Sequence, residues 1–259
     1  MQLAYDRRGA GPTLVLLHPL GADRHVWEPV TDRLARERDV IAVDLPGFGE
    51  SGVLRAKGPP TPAALATAVA EFLATLELPG GYHVAGNSLG GWAALELAAG
   101  GYARSVTAIA PAGLWPAPLS PRRGVARGVA RLALPALPAL MRSPAVRRAA
   151  LAGIVADGAR VPPGEALRLV RAYASAPGFD DVNAAMRSGR FATLEWIRVP
   201  VTLVWPDRDR LVARPAHLPG AVHSIELTGA GHMPMWDAPD RVASILLSGS
   251  ARVAISSRG

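Results

Sequence analysis

YHVAGNSLGGWAALELAA, residues 82–99, decides the fold. Its first six residues, Tyr82 to Asn87, are a short apolar run of the kind that makes a buried strand. From about Leu89 to Ala99 the residues suit a helix instead. One residue, Ser88, lies between the two, and Gly86 and Gly90 flank it in the pattern G-x-S-x-G. A chain that passes from strand to helix across one residue turns sharply enough to strain Ser88 and project its hydroxyl from the sheet. A Cβ at position 86 or 90 would clash inside that turn, which is why glycine suits both places. The pattern alone recurs by chance, and its weight comes from the strand before it and the helix after it.

Strand signals recur on both sides of this stretch: TLVLLHP (13–19), VIAVDLPG (40–47), SVTAIAP (105–111), VPVTLVWP (199–206) and HSIELTG (223–229). Helical spacing covers 24–36 and 62–77. In the second of these, Thr61-Pro62 is an N-cap and first-turn signature, and Leu65, Val69, Phe72, Leu73 and Leu76 repeat at helical spacing. Asp237 is expected to cap a last helix with Pro239 in its first turn. Near-continuous apolar strands alternating with helices predict an α/β fold, a mostly parallel sheet with helices on both faces. Between 114 and 190 that rhythm stops, and helical patches alternate with Pro and Gly breaks. The expected organisation is a core in two parts, 1–113 and 191–259, with a helical insertion over 114–190. The tail after about Ser248 is small and polar and is expected to be loosely held.

A chain of 259 residues, 49% hydrophobic and 19% charged, is long enough for a large buried core and too apolar to be disordered. The absence of cysteine excludes disulfides, thiolate metal sites and a cysteine nucleophile. The N-terminus MQLAYDRRGAG has neither the basic start nor the apolar run of an export signal. The most continuous apolar stretch, Leu132 to Met141, is broken by Pro135 and Pro138 and is far shorter than the ~20 residues of a spanning helix. No stable membrane insertion and a cytoplasmic location are the expectations. The net charge of +7 is uneven. Residues 114–190 hold twelve arginines against four acids, while the remainder is near neutral. Arg123, Arg127 and Arg131 recur at i, i+4, with Val125, Val129 and Leu132 on the other face, a basic amphipathic helix. Such a face either attracts an anionic partner (a carboxylated substrate, a phosphopantetheine-type acyl carrier or an anionic membrane) or is simply a solvated arginine face. Nucleic acid is not expected, because no binding motif or aromatic interleaving accompanies the arginines.

Serine is a poor nucleophile until a base takes its proton. His232, in GAGHMPMW just after the last strand signal, is the candidate base; His18, His25, His83 and His223 sit within or at the ends of other elements, and His217 lies in a loop. The base needs an acid to orient its ring, and WPDRD at 205–209 offers two, Asp207 and Asp209, in the chain order Ser…Asp…His. Two backbone amides must face a developing oxyanion. One is that of Leu89, at a helix N-terminus. The other belongs to the loop His18-Pro19-Leu20-Gly21, where Pro19 has no N–H and Leu20 is the better donor.

HPLG (18–21), DLPGFGES (44–51), GNSLGG (86–91), WPDRDRLV (205–212) and GAGHMPMWDAPD (229–240), in that order, resemble the α/β-hydrolase superfamily in its capped, lipase/esterase-like branch. The resemblance runs through nearly the whole chain. It implies Ser88 as nucleophile, His232 as base and Asp209 as acid, because the family places its acid three residues after a strand-ending glycine whose place Pro206 takes. Pro19 likewise stands where the family usually has glycine. The resemblance makes 114–190 a lid over the site and assigns Asp44 to a structural turn. It implies a serine hydrolase without cofactor or metal, cleaving a carboxylic ester or related small acyl substrate through an acyl-enzyme. Halide- and epoxide-opening relatives in their usual form are excluded, since they need Asp where Ser88 stands. The alternatives are carbon–carbon bond hydrolysis of meta-cleavage type, which the GNSLGG motif suggests and Met233 after His232 opposes, and a thioesterase or acyltransferase on a carrier-bound chain. A non-catalytic binding module on the same fold is the remaining alternative.

Overall fold

The computed structural model describes residues 1–55, 58–120 and 125–251. The polypeptide begins with β1 (Tyr5–Arg8) and β2 (Thr13–Leu17), then α1 (Glu28–Leu34), β3 (Asp39–Val43), α2 (Pro62–Leu73), β4 (Tyr82–Asn87), α3 (Leu89–Ala99) and β5 (Ala103–Ile109). Five helices follow: α4 (Val125–Ala133), α5 (Leu137–Leu140), α6 (Pro144–Ala150), α7 (Pro163–Ser175) and α8 (Phe179–Ser188). The chain ends with β6 (Val201–Pro206), β7 (His223–Leu227) and α9 (Pro239–Ala251). The seven strands form one sheet in the order β1-β3-β2-β4-β5-β6-β7, parallel except for β1, which runs antiparallel to β3.

β2, β3, β4 and β6 are buried at every position because both faces of the sheet are covered there. In β2, Val15 and Leu17 face the side on which α2 and α3 pack, with Leu65, Val69, Phe72 and Leu95. Leu14 and Leu16 face the other side, with Val30 and Leu34 of α1 and Val242 and Leu246 of α9. Each such aliphatic side chain, fully removed from water, contributes roughly 1.5–3 kcal/mol. Thr61 caps α2 as expected, its Oγ1 accepting from the Ala64 amide at 3.2 Å, but the helix ends at Leu73, before Leu76.

One strand escapes the sequence signals, and two expectations need correction. β1 gives no apolar signal, because Tyr5–Arg8 is a largely exposed edge strand held by its ladder to β3 and by an Arg7–Asp39 ion pair of 2.8 Å. Asp237 does not cap α9, which begins at Pro239. Its carboxylate accepts from the amides of Ala156 (2.9 Å) and Gly231 (2.8 Å), two segments that need a shared acceptor. The tail is not loose from Ser248: α9 runs on to Ala251 with Ser250 buried, because Arg38 reaches the Ser250 hydroxyl and the Leu247 carbonyl. Residues from 252 onward lie outside the described ones, as does Arg123.

Asp44 is fully buried in the 44–51 turn. Its carboxylate accepts from the Arg24 amide (2.7 Å), the Glu50 amide (2.9 Å) and the Arg24 guanidinium, which also reaches Asp6 and Glu50. A carboxylate so engaged is a structural knot.

His83 is buried in β4, and its Nδ1 lies 2.7 Å from the Ser105 hydroxyl. That hydroxyl donates to the Gly249 carbonyl, so it must accept from His83 Nδ1–H. Burial, then Arg104 and Arg38, push the imidazole down to about 4. The unfolded chain therefore takes up this proton first as pH falls. Stability supplied by neutral His83 is present above pH ~6.5, drains away toward pH 4 and changes little below it. Denaturant midpoints measured between pH 7.5 and 4 should fall, and His83→Asn, which keeps an N–H donor, should show a shallower decline. An unchanged slope in the variant would exclude His83 as the titrating group.

Candidate active site

Ser88 has φ 55° and ψ −113°, a conformation costing about 1–3 kcal/mol for a non-glycine residue. The surroundings enforce it. A Cβ on Gly86 would overlap the Gly90 carbonyl, and one on Gly90 would overlap the carbonyls of Leu17 and His18. The Ser88 amide donates to Ile109 O (2.9 Å), and its carbonyl accepts from the amides of Trp92 (2.9 Å) and Ala112 (3.0 Å). Three backbone hydrogen bonds thus hold the strained residue between β4 and α3.

His232 follows β7, in a loop that begins with Gly229 at φ +82°. Its Nδ1 lies 2.7 Å from Asp209 Oδ2, with both side chains almost wholly buried. Asp209 Oδ1 accepts from the amides of Leu211 (2.7 Å) and Val212 (3.1 Å), which fixes the carboxylate plane. Asp207 turns elsewhere: its Oδ1 accepts from the amides of Gly229 (2.6 Å) and Ala230 (3.3 Å). Of the two aspartates in WPDRD, Asp209 is the one brought to His232, while Asp207 ties β6 to the turn after β7. With Nδ1 engaged, Nε2 is the nitrogen left for chemistry.

Three contacts around His232 escaped the sequence reading. Asn87 Nδ2 donates to the His232 carbonyl (3.0 Å) and to Ile109 O (3.1 Å). The Gly231 amide donates to Asp237 as described, and the Met233 amide donates to Ile154 O at 2.8 Å. The one available signal was Asn87 itself, a polar residue ending an otherwise apolar strand. The Asn87 side chain thereby binds the loop of His232 to the strand that ends at Ser88.

Leu89 is the first residue of α3, so its amide has no acceptor within the helix. Leu20 lies in the turn closed by Ala22 N to Pro19 O (3.2 Å), and among the described residues its amide has no acceptor. His18 sets this turn. Its Nε2 accepts from the Leu45 amide (2.9 Å), so Nδ1 carries the hydrogen and donates to Pro19 O (2.8 Å). Complete burial, the largest influence, pushes its pKa down and keeps it neutral. Because Gly90 rests against the carbonyls of Leu17 and His18, the first turn of α3 lies against this loop.

The helices between β5 and β6 lie against the same loops. Val155 packs on Gly231, Tyr173 and Phe179 close on Gly21, and Gly178 donates its amide to Gly47 O at 2.9 Å. Ser88 is 7% exposed and His232 3%. Among the described residues no group of three or more His, Asp or Glu could hold a metal ion. No helix among them is long and apolar enough to cross a membrane.

A mostly parallel, doubly covered sheet with Ser88 at a tight strand-to-helix turn and a His232–Asp209 pair defines a class of protein, and comparison with known sequences agrees. The chain matches the alpha/beta hydrolase family over residues 14–245 and belongs to it. It is a hydrolase. It is 34% identical over 194 residues to epoxide hydrolase EphH of Mycobacterium tuberculosis, covering 64% of this chain and 84% of EphH. Over 90 residues it is 41% identical to the pimeloyl-[acyl-carrier protein] methyl ester esterase of Pseudoalteromonas atlantica, a match spanning 35% of this chain and only a third (33%) of that protein. A crystal structure described as a membrane phospholipase A superposes with a TM-score of 0.71 at 26% identity, over 97% of this chain and 84% of that one.

The geometry separates the two aspartates experimentally. Asp209→Asn should lower kcat/KM on an activated ester by on the order of 10³–10⁴ with little change in melting temperature. Asp207→Ala should keep activity within a few-fold and lose about 1 kcal/mol of stability. Reversed effects would exchange the assignments.

Proposed function

We propose that the protein is a serine hydrolase that cleaves a carboxylic ester through an acyl-enzyme. The observation that carries this reading is the 2.7 Å contact of His232 Nδ1 with Asp209, in a loop bound through Asn87 to the strand that ends at Ser88.

His232 Nε2 takes the Ser88 proton as Oγ attacks the ester carbonyl. The negative charge on the carbonyl oxygen is held by the amides of Leu20 and Leu89; one such donor is typically worth about 2.7–4 kcal/mol. The imidazolium, stabilised by Asp209, returns the proton to the departing alkoxide, and an alcohol leaves. Water, deprotonated by His232, then attacks the acyl-enzyme carbonyl; Ser88 departs and is reprotonated, and the carboxylic acid is released. The helices over 114–190 act as the lid that excludes water and shapes the acyl pocket.

The name of EphH raises epoxide opening as a competing reaction. Attack by a carboxylate on an epoxide leaves an ester that water can hydrolyse. Attack by Ser88 would leave an ether with no carbonyl to hydrolyse, so a serine at this position favours acyl chemistry. The esterase named among the relatives points to the same bond type, and it favours the ester over the carbon–carbon reading. The substrate expected is a small acyl molecule.

A fluorophosphonate probe should label the wild-type protein and leave Ser88→Ala unlabelled. A panel of p-nitrophenyl esters set beside a meta-cleavage dienoate should show turnover of the esters and little of the dienoate. Absence of labelling in the folded wild type would remove Ser88 as nucleophile, and preference for the dienoate would move the reading to carbon–carbon hydrolysis.

A further inference from the structure

Helix α4 is packed inside out. Spacing predicts a basic face turned to water with Val129 and Leu132 on the opposite side. Instead Arg127 is 2% exposed, while Val129 is 61% and Leu132 86% exposed. Arg127 turns inward because the end of α7 presents carbonyls that need donors. Its guanidinium donates to Tyr173 O and Ala176 O, pairs with Asp180 and stacks 4.8 Å over the Phe179 ring. Arg131 also points back, donating to Ala174 O at 2.9 Å. With Arg127 drawn inward and Arg131, still exposed, folded back on α7, the aliphatic side of the helix is left outside.

The neighbouring helices extend this surface. α4, α5 and α6 all pack on α7, and their other sides face water. Leu140, 40% exposed, lies on α5, the next helix along the chain, and exposed alanines and prolines occupy the segment between. Arg142 and Arg148 are exposed beside it. No Asp or Glu occurs anywhere between Glu96 and Asp157. Asp157 pairs with Arg148 at 3.2 Å and the exposed Asp180 with Arg127, yet twelve arginines against four acids over 114–190 leave the surroundings positive. An aliphatic face in such surroundings is matched by a surface that offers hydrocarbon behind anionic headgroups. An acidic protein would instead call for the α4 arginines to be free for ion pairs, whereas Arg127 is buried and Arg131, though exposed, is engaged with Ala174 O.

We propose that the outward face of α4 and α5, with Arg142 and Arg148 beside it, docks this hydrolase peripherally on an anionic lipid surface. Leu132 and Val129 enter the headgroup–acyl boundary, and the two arginines meet lipid phosphates. The docked face lies one layer from the site, since Arg127 stacks on Phe179 and Phe179 closes on Gly21 of the Leu20 loop. The inference does not depend on which bond the enzyme cleaves.

The test is vesicle flotation with the whole chain, using phosphatidylglycerol–phosphatidylcholine vesicles against phosphatidylcholine alone, at low and high salt. Binding is expected to the anionic vesicles and to weaken as salt rises. Leu132→Glu together with Val129→Glu should abolish it. Arg142→Ala with Arg148→Ala should weaken it by on the order of 25-fold, about fivefold per charge near the surface. These side chains are exposed and none belongs to the proposed site, so labelling by the fluorophosphonate and the melting temperature serve as the controls for folding. No flotation of a folded protein at low salt, or flotation indifferent to the glutamate pair, would overturn the proposal. Retention on an immobilised acyl carrier protein without vesicle binding, or a solution dimer dissolved by Leu132→Glu, would overturn it in favour of a protein partner.

Discussion

Between β4 and α3 the polypeptide reverses direction with no space for one additional carbon. Gly86 lies against the Gly90 carbonyl, and Gly90 lies against the ends of Leu17 and His18. That contact does more than bend the chain. It presses the first turn of α3, which begins at Leu89, onto the C-terminal end of β2, where the loop containing Leu20 starts. It also leaves Ser88 in a conformation that would relax if it could. The strain, about 1–3 kcal/mol, is comparable to what three ordinary backbone hydrogen bonds contribute at roughly 1 kcal/mol each. The bonds from Ile109, Trp92 and Ala112 therefore suffice to hold it, with little margin. An alanine at position 86 or 90 would remove the fit on which everything at the strand ends depends.

His232 comes from the far end of the chain, and its loop is held through the backbone on every side. Asn87 holds the His232 carbonyl, Asp237 the Gly231 amide and Ile154 the Met233 amide. With the main chain fixed, Asp209 has only to orient a ring. Two of these ties involve the inserted helical segment, since Ile154 belongs to it and Asp237 also accepts from Ala156. The segment is therefore part of the scaffold that holds the His232 loop.

Most of the sheet was legible because strands buried on both faces read as short apolar runs bounded by turn residues. β1 was not, since an edge strand such as YDRR is defined by its partner and not by its own side chains. Ser88 and the Ser…Asp…His order were readable from local glycines and strand ends. The choice between Asp207 and Asp209 was not a matter of residue type: both are aspartates after the same strand, and only the resemblance to a family pointed to the one that faces His232. Asp237 misled for a related reason. An aspartate before a proline at a helix start has one local meaning, and the Ala156 amide, 81 residues distant, supplies another. For α4, periodicity gives the amphipathic character but not its direction, because direction depends on what the neighbouring helix lacks.

The direction of α4 bears on why the chain is so rich in arginine and so poor in lysine. A guanidinium presents five donors in a fixed fork and can close several backbone carbonyls at once, which an ammonium on a flexible stem does less well. Arg147 is buried and donates to the carbonyls of Met141, Arg142 and Ala159, binding the ends of α5 and α6 to the turn before α7. Arg38 does the same for the end of α9, and Arg127 for the end of α7. Part of the excess positive charge is thus internal masonry, and it carries no information about a partner. The charge that does face outward is smaller, and it lies beside aliphatic side chains that such internal use of arginine has pushed to the surface. The same preference for buried guanidinium groups therefore accounts for both halves of the insert: a tightly closed inner side against the loops of Leu20 and His232, and an outer side left apolar.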